Sequence, residues 1–97
     1  MIILEENVKI KMMKNMKKII KFWAPWCNPC KQQGLLLKDI KDVPIEDINI
    51  EEPDSQEMVD KYDIRSIPTL LIMNDDEVIH RFNGLTPTND IINVLEG

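Results

Sequence analysis

The sequence predicts an α/β fold in which a central mixed β-sheet carries helices on both faces. Three observations lead there: strand-like and helix-like segments alternate through most of the chain, a hairpin pattern follows them, and an amphipathic segment comes last. A chain of 97 residues, 43% hydrophobic and 30% charged, suffices for one modest core and is too short for two. One domain over residues 1–97 is the expectation.

Ile2-Ile3-Leu4 reads as a short strand. Val8, Ile10 and Met12 alternate like a strand while Met12, Met13 and Met16 share a helical face, and we assign a short helix from Asn7 to Lys18. Ile19-Ile20-Lys21-Phe22-Trp23-Ala24 is a dense apolar run of strand formers, the pattern of a strand buried on both faces. A helix should begin at Cys27-Asn28-Pro29-Cys30, because Pro29 fits a first helical turn where its missing N–H costs nothing. Leu36, Leu37 and Ile40 continue that helix, which should stop near Asp42, before Pro44. Val43 to Ile50 has strand character, and Asp54 with Glu57 resembles a capping box for a helix through Tyr62. Ile67 to Met73 is a further strand, Asn74-Asp75-Asp76-Glu77 a turn, and Val78 to Phe82 its antiparallel partner. Asn83-Gly84 breaks the chain, and Thr86-Pro87 opens a last helix bearing Ile91, Ile92, Val94 and Leu95.

Charges interrupt the apolar pieces near the start long before the roughly 20 apolar residues that a membrane span needs. The opening Met1-Ile2-Ile3-Leu4-Glu5-Glu6 also lacks the basic region, long apolar stretch and cleavage site of a secretory signal. A cytoplasmic protein with no membrane association is expected. Residues 1–41 hold nine lysines against three acids and residues 42–97 three basic residues against fourteen acids, so a net charge of −5 conceals halves of +6 and −11. A basic stretch can serve nucleic acid. Here one small fold brings the halves together, and the lysines from Lys9 to Lys18 are read as a solvated face, with no nucleic-acid partner.

Cys27 and Cys30 are the only cysteines, and a pair three apart in a reducing compartment is catalytic or metal-binding more readily than structural. On an extended chain their Cα atoms would lie about 10 Å apart, beyond the roughly 7 Å limit for a disulfide. A first helical turn brings them within reach. At the helix N-terminus, unpaired N–H groups and the positive end of the dipole stabilise a thiolate on Cys27. Cys27 is therefore the expected nucleophile and Cys30, one turn further in, the resolving thiol. Zinc needs four ligands, and two cysteines with the distant His80 fall short, so no metal and no cofactor beyond the Cys27–Cys30 disulfide are expected; a metal or cluster shared between two protomers is the weaker alternative. His80 is read as a surface or half-buried strand residue and Trp23 as a core aromatic.

Phe22-Trp23-Ala24-Pro25-Trp26-Cys27-Asn28-Pro29-Cys30-Lys31 resembles the active-site segment of the thioredoxin family, and Arg65-Ser66-Ile67-Pro68-Thr69-Leu70, about 38 residues on, resembles its second signature. The likeness runs from about Ile19 to Leu95 and is poor over the first 18 residues. It implies a thioredoxin fold with four or five strands, a cis bond before Pro68, and a substrate strand hydrogen-bonded to the Ile67 backbone. Trp26, Pro68 and the Asn83-Gly84-Leu85 turn would form the apolar docking surface around Cys27. The resemblance also implies a monomer that takes electrons from a thioredoxin reductase and reduces protein disulfides. A glutathione-linked, glutaredoxin-like reductase is the nearest alternative, opposed by Trp26 before Cys27 and by the lack of a tyrosine between the cysteines. A binding subunit with dispensable thiols is another.

Three departures from the family pattern stand out. Asn28 replaces the usual glycine between the cysteines, and Leu35 replaces the helix-kinking proline, with Gly34 before it as a source of flexibility. Lys21 stands where thioredoxins carry a buried aspartate, and Asp47 where they carry a lysine on the adjacent strand. The two read as the same ion pair with reversed polarity, unless both reach solvent and never meet. Buried together, neither could be removed alone without loss of stability. Lys21 would favour thiolates near Cys30 or, neutralised by burial, accept the Cys30 proton.

Overall fold

The computed structural model describes residues 16–97. Its centre is β1 (Lys17–Trp23), where Ile19, Ile20 and Phe22 are all but inaccessible, as a strand covered on both faces requires. A crossover through α1 (Asn28–Leu37) returns the chain to β2 (Ile45–Asn49), which pairs with β1 in parallel. A 3₁₀ turn (Pro53–Ser55) and α2 (Gln56–Lys61) lead to β3 (Thr69–Asn74), antiparallel to β1. A hairpin joins β3 to β4 (Glu77–Asn83), and α3 (Thr88–Glu96) follows. The sheet order is β2-β1-β3-β4, a mixed four-stranded sheet.

Alternation along the strands divides the core into two. Ile19, Leu70 and Ile72 face one side and pack with Leu37 and Ile40 after α1 and with Ile91 of α3. Ile20, Phe22, Leu71 and Met73 face the other and meet Met58 and Val59 of α2, with Tyr62 edge-on to Phe22. Helices therefore cover both faces, as the apolar pattern predicts. The two charged halves also meet: Lys18 bonds Glu46 at 3.1 Å, and the Lys17 ammonium donates to the Leu95 carbonyl at 2.6 Å, at the electronegative end of α3.

Several element boundaries differ from expectation. Lys17 and Lys18, read as the end of a helix, begin β1, because pairing of Lys17 and Lys18 with Asn74 and Met73 outweighs local helical periodicity. Met16 is likewise not helical, while residues 7–15 of that assignment and the Ile2–Leu4 strand lie outside the described residues. Helix α1 ends at Leu37 rather than near Asp42: i→i−3 bonds close residues 38–40, and Asp42 is left-handed at φ 66°. No capping box forms at Asp54, since Pro53 starts a 3₁₀ turn whose backbone bonds precede α2, and Tyr62 falls just after that helix. Thr86 does not cap α3, which starts after Pro87, and its hydroxyl donates to the Gly84 carbonyl instead. The β3–β4 turn is tight, with Asp75 left-handed at φ 56° and its N–H on the Met16 carbonyl.

Candidate active site

Cys27 is the N-cap of α1, in extended conformation with φ −91° and ψ 104°, and Pro29 sits in the first turn as its fixed φ favours. The two cysteines form a disulfide with Cα atoms 5.2 Å apart. The Cys30 N–H donates to Cys27 Sγ at 3.1 Å, so a backbone dipole already points at the sulfur that would carry a thiolate charge. Exposure is 5% for Cys27 and 1% for Cys30. Both cysteines are therefore nearly inaccessible, Cys27 slightly less so than Cys30. Ala24, Trp23, Ile50 and Ile67 pack against the pair and account for this burial.

Ile67-Pro68 is a cis peptide, as the resemblance implies. Ile67 packs against the cysteines, and the Gly84 N–H donates to the Pro68 carbonyl at 2.7 Å, which draws the turn after β4 to the same rim. Gly84 has φ +91°, a conformation that favours glycine. Trp26 is 64% exposed on the other side, with its indole N–H donating to Glu51 at 2.7 Å. Between Trp26 and Ile67 lies a mostly apolar cleft of about 300 Å³, lined also by Ile50, Val59 and Ile64. Ile67 thus packs against the disulfide, Trp26 precedes Cys27 in the chain, and Gly84 is tied to Pro68, the residue after Ile67.

Lys21 and Asp47 do meet. Parallel pairing of β1 with β2 places them side by side, with Lys21 Nζ 3.4 Å from Asp47 Oδ1. The burial is one-sided: the Lys21 side chain is 12% exposed and that of Asp47 55%. The ammonium lies 6.0 Å from the Trp23 ring centroid and directly under α1, where a Cβ on Gly34 would stand 3.2 Å from it. Gly34 is four residues after Cys30, so the cation sits beneath the face of α1 that carries the resolving sulfur. Gly34 has a packing role here. Trp23 is a half-buried aromatic, and His80 is exposed on β4 with its ring 4.3 Å from Phe82. Among the described residues no group of three or more His, Cys, Asp or Glu side chains is placed to hold a metal.

Two functional-site neighbours escaped sequence reasoning. Glu51, which holds Trp26, carries no local signal, because it lies in the turn after β2 and reaches the indole only through the fold. Gln33 is fully buried, and its signal was present: it occupies the inward face of α1 between Cys30 and Leu37, at spacings of three and four.

The sequence model of the thioredoxin family matches residues 2–97. This chain belongs to the thioredoxin family. The match takes in most of the first 18 residues, where the signature segments give no likeness. Thioredoxin of Bacillus subtilis (strain 168) is 38% identical over 69 residues, covering 68% of this chain and 66% of that one. Thioredoxin 1 of Synechococcus elongatus is 32% identical over 83 residues, covering 80% and 76%. The structure of reduced Schistosoma mansoni thioredoxin pre-protein superposes with a TM-score of 0.74 at 21% identity, over 95% of this chain and 88% of that one, which establishes the shared thioredoxin fold. Family, fold and a cysteine pair at disulfide distance make the chain a thiol-disulfide oxidoreductase of the kind that reduces protein disulfides. Thioredoxins work through their own cysteine disulfide, without an external cofactor. No helix among the described residues is long and apolar enough to cross a membrane.

Proposed function

We propose that this chain, a single domain over residues 1–97, is a cytoplasmic electron carrier that works as a monomer and draws electrons from a thioredoxin reductase. The observation that carries the direction of chemistry is the position of Cys27 at the N-cap of α1, with the Cys30 N–H on its sulfur. In the reduced protein the Cys27 thiolate attacks one sulfur of a substrate disulfide, forms a mixed disulfide and expels the other sulfur as a thiolate. Cys30 then loses its proton and attacks Cys27 Sγ. That closes the Cys27–Cys30 disulfide and releases the second substrate thiolate, so two electrons have passed to the substrate, whose thiolates take up the protons.

Substrate docks over Trp26, Ile67, Pro68 and Gly84, with the Ile67 backbone hydrogen-bonding an extended substrate segment. The exposed Trp26 and the apolar cleft beside it support this reading. Lys21 acts behind Cys30 as a fixed cation, held by Asp47, that favours the resolving thiolate.

The decisive experiment compares two electron sources on one protein disulfide, a thioredoxin reductase with its nicotinamide or ferredoxin donor and glutathione with its reductase. Turnover is expected with the first and only weakly with the second, and Cys27→Ser should abolish it. Glutathione-driven turnover of equal rate would assign the chain to the glutaredoxin-like alternative. Biological function that survives replacement of both cysteines by serine would make it a binding subunit.

A further inference from the structure

Gln33 is the one uncharged polar side chain on the inward face of α1, and it is fully buried. Burial of an amide is unfavourable unless its donors and acceptor are used. Here they bind a single residue of a distant segment. Gln33 Nε2 donates to the Thr86 carbonyl at 3.0 Å, and Gln33 Oε1 accepts the Thr86 N–H at 2.7 Å. The side chain thereby pairs with Thr86 as a neighbouring strand would, in a stretch that belongs to neither β4 nor α3. Three further bonds complete the attachment. Thr86 Oγ1 donates to the Gly84 carbonyl at 3.0 Å, Thr88 Oγ1 donates to the Leu36 carbonyl at 3.1 Å, and the Gly84 N–H reaches the Pro68 carbonyl.

The segment from Gly84 to Thr88 is therefore tied at one end to the cis-proline loop and at the other to the helix that carries the cysteines. Leu85, at its crest, is 46% exposed. With only the Pro68 bond, this crest could hinge about Gly84. The two-point bond to Gln33 fixes its height relative to Cys27 and Cys30.

We propose that Gln33 is a positioning residue for the docking of protein disulfides, because it holds the Gly84–Leu85 rim in register with the redox-active end of α1. This rests on the reading that substrate docks across that rim. Gln33 touches neither cysteine sulfur and takes no part in thiol exchange itself. Its effect should appear with large substrates that span the rim and vanish with small disulfides that meet Cys27 alone.

The test uses the full chain as wild type, Gln33→Met and Gln33→Glu, each first shown to melt cooperatively. Reductase-linked turnover of a folded protein disulfide gives KM and kcat, and stopped-flow reaction of the reduced protein with 5,5′-dithiobis(2-nitrobenzoate) gives the intrinsic thiol rate. For Gln33→Met we expect KM to rise about tenfold, because the Thr86 N–H and carbonyl lose both partners. Its kcat and small-disulfide rate should stay within about twofold of wild type. Gln33→Glu adds a reversible control. Its protonated carboxyl can accept the Thr86 N–H and donate to the Thr86 carbonyl, whereas the ionised form has no proton to donate. The ratio of its KM to that of wild type should thus climb with pH. If Gln33→Met does not fold, that ratio decides alone. An unchanged KM in Gln33→Met, a parallel fall in the small-disulfide rate, or a pH-independent Gln33→Glu ratio overturns the role of Gln33 while leaving the docking surface in place. A wild type that turns over the small disulfide but no protein disulfide overturns the docking reading, and the proposal with it.

Discussion

Lys21 stands, by the resemblance of the signature segments, where a buried aspartate is expected. Its ammonium is confined by Asp47, Trp23 and Gly34, and only Asp47 offers an opposite charge. A cation beside Gly34, one helical turn along α1 from Cys30, lowers the cost of placing negative charge there. Lys21→Met should therefore delay thiolate formation to higher pH. Asp47→Asn, which removes the opposing charge, should advance it to lower pH. Ultraviolet absorbance of the thiolate across a pH titration reads both, and the proposed role fails if neither curve moves. Stability should respond little to Asp47→Asn, by no more than about 1 kcal/mol, since a pair with one half-exposed partner is screened by solvent. This corrects the expectation that neither partner could be removed without loss, which assumed burial of both. Cys27, Cys30 and this pair were legible as residues. Glu51 was not, because nothing near it in the chain indicates that it meets Trp26.

Helix α1 concentrates the chemistry, and its inward face shows how one element serves several ends. Cys30, Gln33 and Leu37 lie along that face in order, as half of the disulfide, partner of Thr86 and core anchor. Gly34 adjoins them and admits the Lys21 ammonium from below. A glycine inside a helix is usually unfavourable by about 0.8–1.0 kcal/mol relative to alanine. Gly34→Ala should accordingly raise the melting temperature by a few degrees, because the new Cβ would meet only the Lys21 ammonium, which need give by no more than a few tenths of an ångström and can do so within its pair with Asp47. Thermal denaturation followed by far-ultraviolet circular dichroism checks this, and a lower melting temperature would show that Lys21 is held too firmly to yield. The start of α1 was readable from Pro29 and the cysteines. Its end was not: local i→i−3 bonds close residues 38–40, and the Leu36 carbonyl also accepts the Thr88 hydroxyl from more than 50 residues away.

Strand β1 joins the two halves of the core. Ile19 looks toward α1 and α3, Phe22 toward α2, and both are fully buried. Truncation of either should weaken the fold as a unit. Phe22→Ala is expected to cost about 3–5 kcal/mol, a large part of the roughly 5–15 kcal/mol that stabilises a domain. Urea titration followed by fluorescence and by circular dichroism should show one coincident transition at a lower midpoint. Separated transitions would mean that the two cores unfold independently. The sheet also brings the basic first half against the acidic second, through Lys18 with Glu46 and Lys21 with Asp47. The asymmetry of charge along the chain is thereby neutralised in part by contacts across the sheet.

Local chemistry was sufficient for the α/β class, the strands either side of the cysteines, the helix that begins at them, and a reversible dithiol at its N-terminus. These depend on side-chain periodicity, proline and the spacing of two sulfurs, all of which act over a few residues. Tertiary structure alone decided that Lys17 and Lys18 join a strand, that Cys27 is nearly buried, that Lys21 and Asp47 meet with unequal burial, and that Gln33 ties the rim after β4 to the redox helix. Each of these depends on strand register or on groups brought together from distant parts of the chain, and neither is encoded in any one stretch of sequence.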